Sequence, residues 1–267
     1  MKTKVNIGLI GIGNRGKGLL KEIILQMDDV EVLAVCDLYE DRRVAAADQV
    51  EEKRSVRPLV TSDYRKVLSI AEIDAVVIAT SWESHFEIAI AAMEAGKYVG
   101  SEVGGAFTVN ECWKLVETYE RTKMPVMIME NCCYGRDELM VLNMVKQGVF
   151  GEIVHCAGGY HHDLRKEITF GKENRHYRLQ NYIHRNGENY PTHELCPIAQ
   201  VLDINRGNRM VSLLSMSSKA KGLEEYVKKH KSDDERLMNT DFKQGDIVTT
   251  VIKCAHGETI TITLDTT

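Results

Sequence analysis

Val5-Asn6-Ile7-Gly8-Leu9-Ile10-Gly11-Ile12-Gly13-Asn14-Arg15-Gly16 opens with a short apolar run that passes directly into three spaced glycines. Lys17 to Met27 follows, with Leu19, Leu20, Ile23, Ile24 and Met27 at helical spacing. A second apolar run, Val30 to Cys36, ends on Asp37, 21 residues after Gly16. Strand, glycine loop, helix, strand and acid in that order form a dinucleotide-binding pattern. Gly11 permits the tight turn, Gly13 lets backbone approach a pyrophosphate, and Gly16 lets helix and strand close up. Amides at the helix start face the phosphates. Asp37 accepts both hydroxyls of an adenosine ribose and repels a 2′-phosphate, so NAD is favoured over NADP. Arg42 and Arg43 lie nearby and read as the solvated face of the next helix.

The same alternation continues outward. Leu38–Lys53 reads as a helix with Val44, Ala45, Ala47 and Val50 inward. Pro58–Val60 is extended, and 63–69 is helical. Asp74–Thr80 is an apolar central strand, as parallel sheets require. Ser84 is placed as the cap of the helix that Gly96 stops. Lys97–Val103 and Pro125–Glu130 are strands, separated by a helix that opens on the capping box Thr108–Glu111. The expected first domain is a doubly wound parallel sheet over 1–130. From 131 to 267 the pattern changes to an α+β domain with a largely antiparallel sheet. It has a helix at 137–147, strands at 152–160, 211–217, 247–255 and 259–265, and a helix at 192–203. The polar stretch 163–189 reads as a lid, a binding loop or a mobile segment. The last strand ends the chain with its edge uncovered, so this domain reads as incomplete.

The chain has 267 residues, a net charge of −5 and an ordinary composition, with a pI near 6.0. That charge argues against a nucleic-acid partner, and no apolar run reaches a membrane span. Seven cysteines without a C-x-x-C pair fit a reducing compartment better than a disulfide framework. Met1–Lys4 enters the first strand at once, so a cytoplasmic location is expected. His161-His162-Asp163 alternates faces on a strand, and Cys132-Cys133 lacks zinc spacing, so no metal is expected.

Several stretches resemble the Gfo/Idh/MocA oxidoreductase superfamily: the glycine loop with Asp37, Thr80-Ser81-Trp82-Glu83-Ser84-His85, and Glu102-Val103. Others resemble its NAD-dependent glycoside hydrolase branch, family 109, typified by α-N-acetylgalactosaminidase activity. These are Glu130-Asn131-Cys132-Cys133-Tyr134-Gly135-Arg136, Gly148–Glu152, Gly158-Gly159-Tyr160, Tyr190-Pro191-Thr192-His193 and Asp203–Gly207. The resemblance implies that Asn14, Arg15 and Asp37 bind the cofactor. It puts Trp82, Glu83, Ser84 and His85 beside the nicotinamide, with Glu102, Val103 and Asn131 completing that pocket. On the sugar it implies Tyr160, Arg178, Tyr190, Pro191, Thr192 and His193, with Glu130 nearby. Pairing through the second-domain sheet is a further implication, so a homo-oligomer is expected.

Three departures from the family pattern stand out. Thr192-His193-Glu194-Leu195-Cys196-Pro197 replaces the usual Thr-His-Gly-Leu-Gly-Pro, the stretch between Tyr160 and Tyr190 is short, and a C-terminal tyrosine has no counterpart. Ordinary dehydrogenases of the superfamily carry Glu-Lys-Pro where this chain has Glu102-Val103-Gly104, and valine exchanges no proton. His193 is the natural base, because imidazole titrates near neutral pH. The resemblance implies hydride removal from C3 of a sugar, proton loss at C2 to Tyr160 or Glu130, departure of the aglycone, water addition and re-reduction. His193 and Tyr190 would handle the hydroxyl proton. Arg178 reads from sequence as a solvated residue unless the family correspondence holds. A conventional NAD-dependent sugar or polyol dehydrogenase, and a non-catalytic NAD- or sugar-binding protein, remain as alternatives.

Overall fold

The computed structural model describes residues 4–104 and 107–267; Met1–Thr3, which the sequence reading joined to the first strand, lie outside them. The chain divides into two compact units, Met1–Met129 and Glu130–Thr267.

In the first unit β1 (Val5–Ile10), β2 (Val30–Cys36), β3 (Leu59–Thr61), β4 (Ala75–Ile78), β5 (Tyr98–Ser101) and β6 (Val126–Ile128) form one sheet in the order β3-β2-β1-β4-β5-β6. Every pairing is parallel. The order reverses direction beside β1, the crevice where ligands of such sheets bind. Helices α1 (Asn14–Gly18), α2 (Glu40–Arg54), α3 (Tyr64–Leu68), α4 (Trp82–Glu94) and α5 (Val109–Thr122) connect the strands. Leu9, Ala34, Val35, Val76 and Ile78 are fully enclosed, as central strands covered on both faces must be. Thr108 and Glu111 make the expected capping box reciprocally.

The helix after the glycine loop departs from simple periodicity. Past Gly18 it widens into a π turn over Leu19–Ile23 and tightens into a 3-10 turn over Ile24–Gln26. That change of pitch rotates Ile23 and Met27 out to solvent, while Leu19, Leu20, Ile24 and Leu25 face the core. In α2 the inward residues are Ala46, Ala47 and Val50, and Val44 and Ala45 are exposed. Ser84 is not the cap of α4. Ser81 holds that position, and the Ser84 hydroxyl donates within the first turn to Thr80 Oγ1 at 2.7 Å.

The second unit begins with a 3-10 turn at Asn131–Cys133 and α6 (Arg136–Lys146). Its sheet comprises β7 (His155–His161), β8 (Met210–Ser217), β9 (Ile247–Cys254) and β10 (Thr259–Asp265), in the order β7-β10-β9-β8. β10 runs parallel to β7 and antiparallel to β9, and β9 is antiparallel to β8. The final strand is therefore interior, with β7 and β8 at the edges, and the side of β10 that the sequence reading left uncovered is paired with β7. A strand read only from its place in sequence gives no clue that a distant strand joins its free side. Helix α9 (Thr192–Val201) covers one face, burying Ile252, Cys254, Ile260 and Ile262 against Ile198 and Leu202.

The 163–189 stretch is not a structureless lid. It contains α7 (Arg165–Thr169) and α8 (Arg178–His184). With α10 (Gly222–His230) and α11 (Glu235–Met238) they enclose Ile168, Leu179, Tyr182, Leu223, Val227, Leu237 and Phe242. The apolar residues are too widely spaced among polar ones to announce this second core.

Candidate functional site

The first group of candidate residues lies at the carboxyl ends of β1, β2, β4 and β5. Gly11 has φ +95°, and a Cβ there would stand 2.5 Å from the Ala79 carbonyl. A Cβ on Gly16 would meet Gly11 O at 2.0 Å. Around Gly13 only Arg42 Nη1 comes within reach, at 3.8 Å. The loop is thus tight on its protein side and open where a phosphate would lie. The first helical bond runs from Lys17 N to Gly13 O at 2.9 Å, so the amides of Asn14, Arg15 and Gly16 precede the ladder. Asp37 is buried. Its Oδ2 accepts from Ile12 N at 2.6 Å and its Oδ1 from Tyr39 N at 2.9 Å. The acid therefore pins the glycine loop, and each oxygen keeps a second lone-pair direction for a ribose hydroxyl. This geometry fits a dinucleotide.

Around that loop the correspondences vary. Arg15 Nε donates to Glu102 Oε1 at 2.7 Å, and Val103 is buried beside them in sequence. Trp82 is buried in the first turn of α4, against the backbone of Gly104, rather than in a loop. Glu83 is exposed. His85 is almost fully enclosed, with Nε2 on Thr80 O at 3.0 Å. Burial holds it below the ordinary histidine range. His85, expected from the resemblance beside the nicotinamide, lies within α4 and is enclosed there, with Nδ1 buried and without a hydrogen-bond partner among the described residues. Arg43, read as solvated, donates to Asp37 O and Leu38 O. Arg42 lies over the Tyr39 ring, 4.8 Å from its centroid.

The second group lies wholly in Glu130–Thr267. Glu130 caps the 3-10 turn, its Oε1 accepting from Cys132 N at 2.9 Å. The same oxygen receives His193 Nδ1 at 2.6 Å. Burial alone would raise the Glu130 pKa, but the bonds from His193 and Cys132 N hold it below the usual carboxylate range. An ionised carboxylate only accepts, so Nδ1 is the donor in this bond. His193 is presented by the first turn of α9, just after Pro191 at its N-cap and Thr192 at its start. Tyr190 stands edge-on to the imidazole, 4.9 Å between centroids, and Tyr160 lies 4.7 Å from Tyr190 and 5.7 Å from His193. Arg178, read as solvated from sequence, is buried. Its guanidinium lies over Tyr190 at 4.9 Å and pairs with Glu167 at 3.2 Å. The stretch carrying it folds into a core, which the sequence did not disclose. Asn131 is exposed.

Ligand atoms of Glu130, Cys132 and His193 lie within 4.8 Å of one another. Burial, then Glu130, pushes the Cys132 thiol up to about 11. Sequence reasoning also passed over Glu188, which burial pushes up to about 7; the only available signal was a carboxyl two residues before Tyr190.

Residues 134–267 match the family described as glycosyl hydrolase 109, C-terminal domain. The chain belongs to glycosyl hydrolase family 109. Residues 5–130 match the oxidoreductase family with an NAD-binding Rossmann fold, Gfo/Idh/MocA, and NAD is the cofactor of this family 109 chain. A family 109 protein of Shewanella baltica is 42% identical over 270 residues, covering 98% of this chain and 58% of that protein. One of Stenotrophomonas maltophilia is 40% identical over 287 residues, covering 98% and 63%. The chain thus spans about three-fifths of these curated relatives. Among solved structures, a myo-inositol 2-dehydrogenase from Lactobacillus plantarum shares the fold with TM-score 0.74 and 16% identity, covering 98% of this chain and 70% of that one. An NAD-binding protein from Listeria innocua does so at 0.68 and 23%, covering 98% and 67%. Among the described residues no helix is long and apolar enough to cross a membrane.

Proposed function

We propose that this chain is an NAD-dependent glycoside hydrolase acting on α-N-acetylgalactosaminide-like sugars through transient oxidation, elimination, water addition and re-reduction. The observation that carries the reading is the His193–Glu130 pair beside Tyr160 and Tyr190, in a unit matching family 109. Gly11, Gly13, Asn14, Arg15, Gly16 and Asp37 would hold NAD, with Trp82, Glu83, Ser84, Glu102, Val103 and Asn131 as further contacts. When bound, NAD supplies a reversible acceptor for hydride, which makes the neighbouring C–H bond acidic.

The protein's own part is proton transfer and orientation. Glu130 fixes the imidazole with Nδ1 protonated, so His193 Nε2 takes the proton of a sugar hydroxyl. The Glu130 anion stabilises the imidazolium that results, as an acid behind a histidine does in hydrolases. Tyr160, or Glu130 itself, removes the acidified proton at C2. Tyr190 packs on the imidazole edge, and Arg178 behind it directs guanidinium donors toward hydroxyl or amide groups. The net reaction is hydrolysis, without the two flanking carboxylates of ordinary glycosidases.

The test is p-nitrophenyl α-N-acetylgalactosaminide with and without NAD, following nitrophenol and the NADH band together. Nitrophenol release that depends on NAD, without net NADH, is expected. Steady NADH production from free sugars without bond cleavage would instead establish a conventional sugar oxidoreductase. The imidazole–carboxylate pair favours that second reading equally, since alcohol oxidation needs the same base.

A further inference from the structure

Two buried carboxyls bracket the residues on which the proposed chemistry depends. Glu188 precedes Tyr190 by two positions and Glu194 follows His193 by one. Glu194 is only 7% exposed, and neither of its oxygens has a hydrogen-bond partner among the described residues. Glu188 Oε1 accepts weakly from Tyr190 N at 3.4 Å, and its Oε2 is buried without a partner.

Glu194 cannot turn away to water. It leaves the first turn of α9 directly against β7, where a Cβ on Gly158 would stand 2.8 Å from Glu194 Cβ. Gly158 offers no charge and no side chain. The charged groups that act on Glu194 are Glu188 from the preceding loop, His193 beside it and Glu130 beyond. Two of these three are acids, and the one base is already engaged by Glu130. Glu188 itself meets backbone, and its neighbours Gly187 and Asn189 are tied to the uncharged amide of Gln244. An anion at Glu188 is met only by the Tyr190 amide, and one at Glu194 only by its own amide and by His193, so the neutral carboxyl is favoured at both positions.

We propose that Glu188 and Glu194 are positioning residues that hold Tyr190 and His193 in register only while protonated, so that the family 109 unit carries its own alkaline cutoff. The inference rests on the reading of Tyr190 and His193 as functional groups. Desolvation first, and then Glu188 in the case of Glu194, pushes both carboxyls up to about 7, which places the transition where a cell could use it. On ionisation the two acids repel across the turn that joins them. The turn carries Tyr190 and Pro191, and α9 begins with Thr192 and His193. Relief of that repulsion moves the Tyr190 ring relative to Tyr160 and the imidazole.

The experiment needs no substrate. Near-ultraviolet circular dichroism of the full chain, with and without NAD, is followed from about pH 5 to about pH 9 beside the melting temperature. The wild type should show an aromatic transition centred near 7 that the Glu188→Gln/Glu194→Gln variant lacks. The linkage sign is fixed: between the ordinary carboxylate value and about 7 the folded chain keeps a proton that the unfolded chain releases, so stability falls as pH rises through that window. The single Glu194→Gln variant should therefore melt several degrees above wild type on the alkaline side and level with it on the acid side. An aromatic transition shared by wild type and the double variant, or absent from wild type, overturns the proposal, as does a Gln variant with no alkaline advantage. If the transition behaves as expected but no glycoside is cleaved, the device stands and the substrate reading falls. If nitrophenol is released and the transition is missing, the reverse holds.

Discussion

His193 Nδ1 and Glu130 Oε1 stand 2.6 Å apart, joining a residue at the start of α9 to one 63 positions earlier. Because the acceptor is a carboxylate held ionised, Nδ1 is the donor, and in the proposed reaction Nε2 is the nitrogen that meets the sugar. His193→Ala should abolish NAD-dependent nitrophenol release. Glu130→Gln keeps the shape but can present its amide N–H to the ring, and should lower kcat by roughly 10²–10⁴-fold, the range typical of a lost general base. Full activity in both variants would remove this pair from the chemistry.

The same pair has a stability signature. Glu130 is held below its ordinary value, so its contribution is fully present above the unfolded carboxylate range and is lost as pH falls through the folded value. The urea midpoint should therefore fall more between neutral and acid pH in wild type than in Glu130→Gln. This slope is opposite in sign to the Glu194 effect, which separates the two acids in one titration series.

The glycine loop gives a cleaner separation of folding from binding. Gly13 has φ −68° and open space around its missing Cβ, so Gly13→Ala should melt near wild type while losing NAD affinity. Gly16→Ala instead drives a methyl into Gly11 O and should lower both stability, by about 1–3 kcal/mol, and affinity. Calorimetric NAD titration beside thermal melts distinguishes these outcomes, and equal NAD affinity in Gly13→Ala and wild type would argue against the phosphate position assigned here.

Much of this was legible because it is local. The strand–glycine–helix–acid order and the Thr108–Glu111 box depend on residues close in sequence, and both appear as read. The pitch change after Gly18 was not legible, because π and 3-10 turns leave no compositional mark and shift the inward face by one or two residues. Burial of Arg178 and the interior place of β10 depend on partners far along the chain. The second group of candidate residues was gathered by resemblance, while the unpaired state of Glu194 needed the packing of α9 on Gly158 to be seen.

Arg178 joins the second core to the aromatic cluster, and its removal should be felt in both. Burial opposes its charge, but Tyr177, Tyr160, Glu167 and Tyr190 raise its pKa on balance. Arg178→Lys keeps a cation yet loses the flat guanidinium over Tyr190 and the fork toward Glu167. We expect a loss of about 1–3 kcal/mol, moderated because Glu167 is partly exposed. A higher KM for the glycoside should accompany it, and a KM equal to wild type would reduce Arg178 to a structural role.

Lys97 tests whether the first unit's sheet is pinned where the sequence gives no warning. Its ammonium is buried and donates to Ile70 O and Ile73 O at 2.7 Å and to Ala71 O at 3.4 Å. The side chain thus ties the turn after α3 to the start of β5 through three carbonyls, of which Ile70 O also accepts from Ile73 N at 3.3 Å. Lys97→Met fills similar space but removes the donor from the Ala71 and Ile73 carbonyls, while Ile70 O keeps the Ile73 amide, so the unit should lose roughly 2–4 kcal/mol. The loss should persist in high salt, because buried bonds of this kind are poorly screened. A denaturant midpoint that recovers in salt, or that never falls, would show the contacts to be surface interactions of little weight.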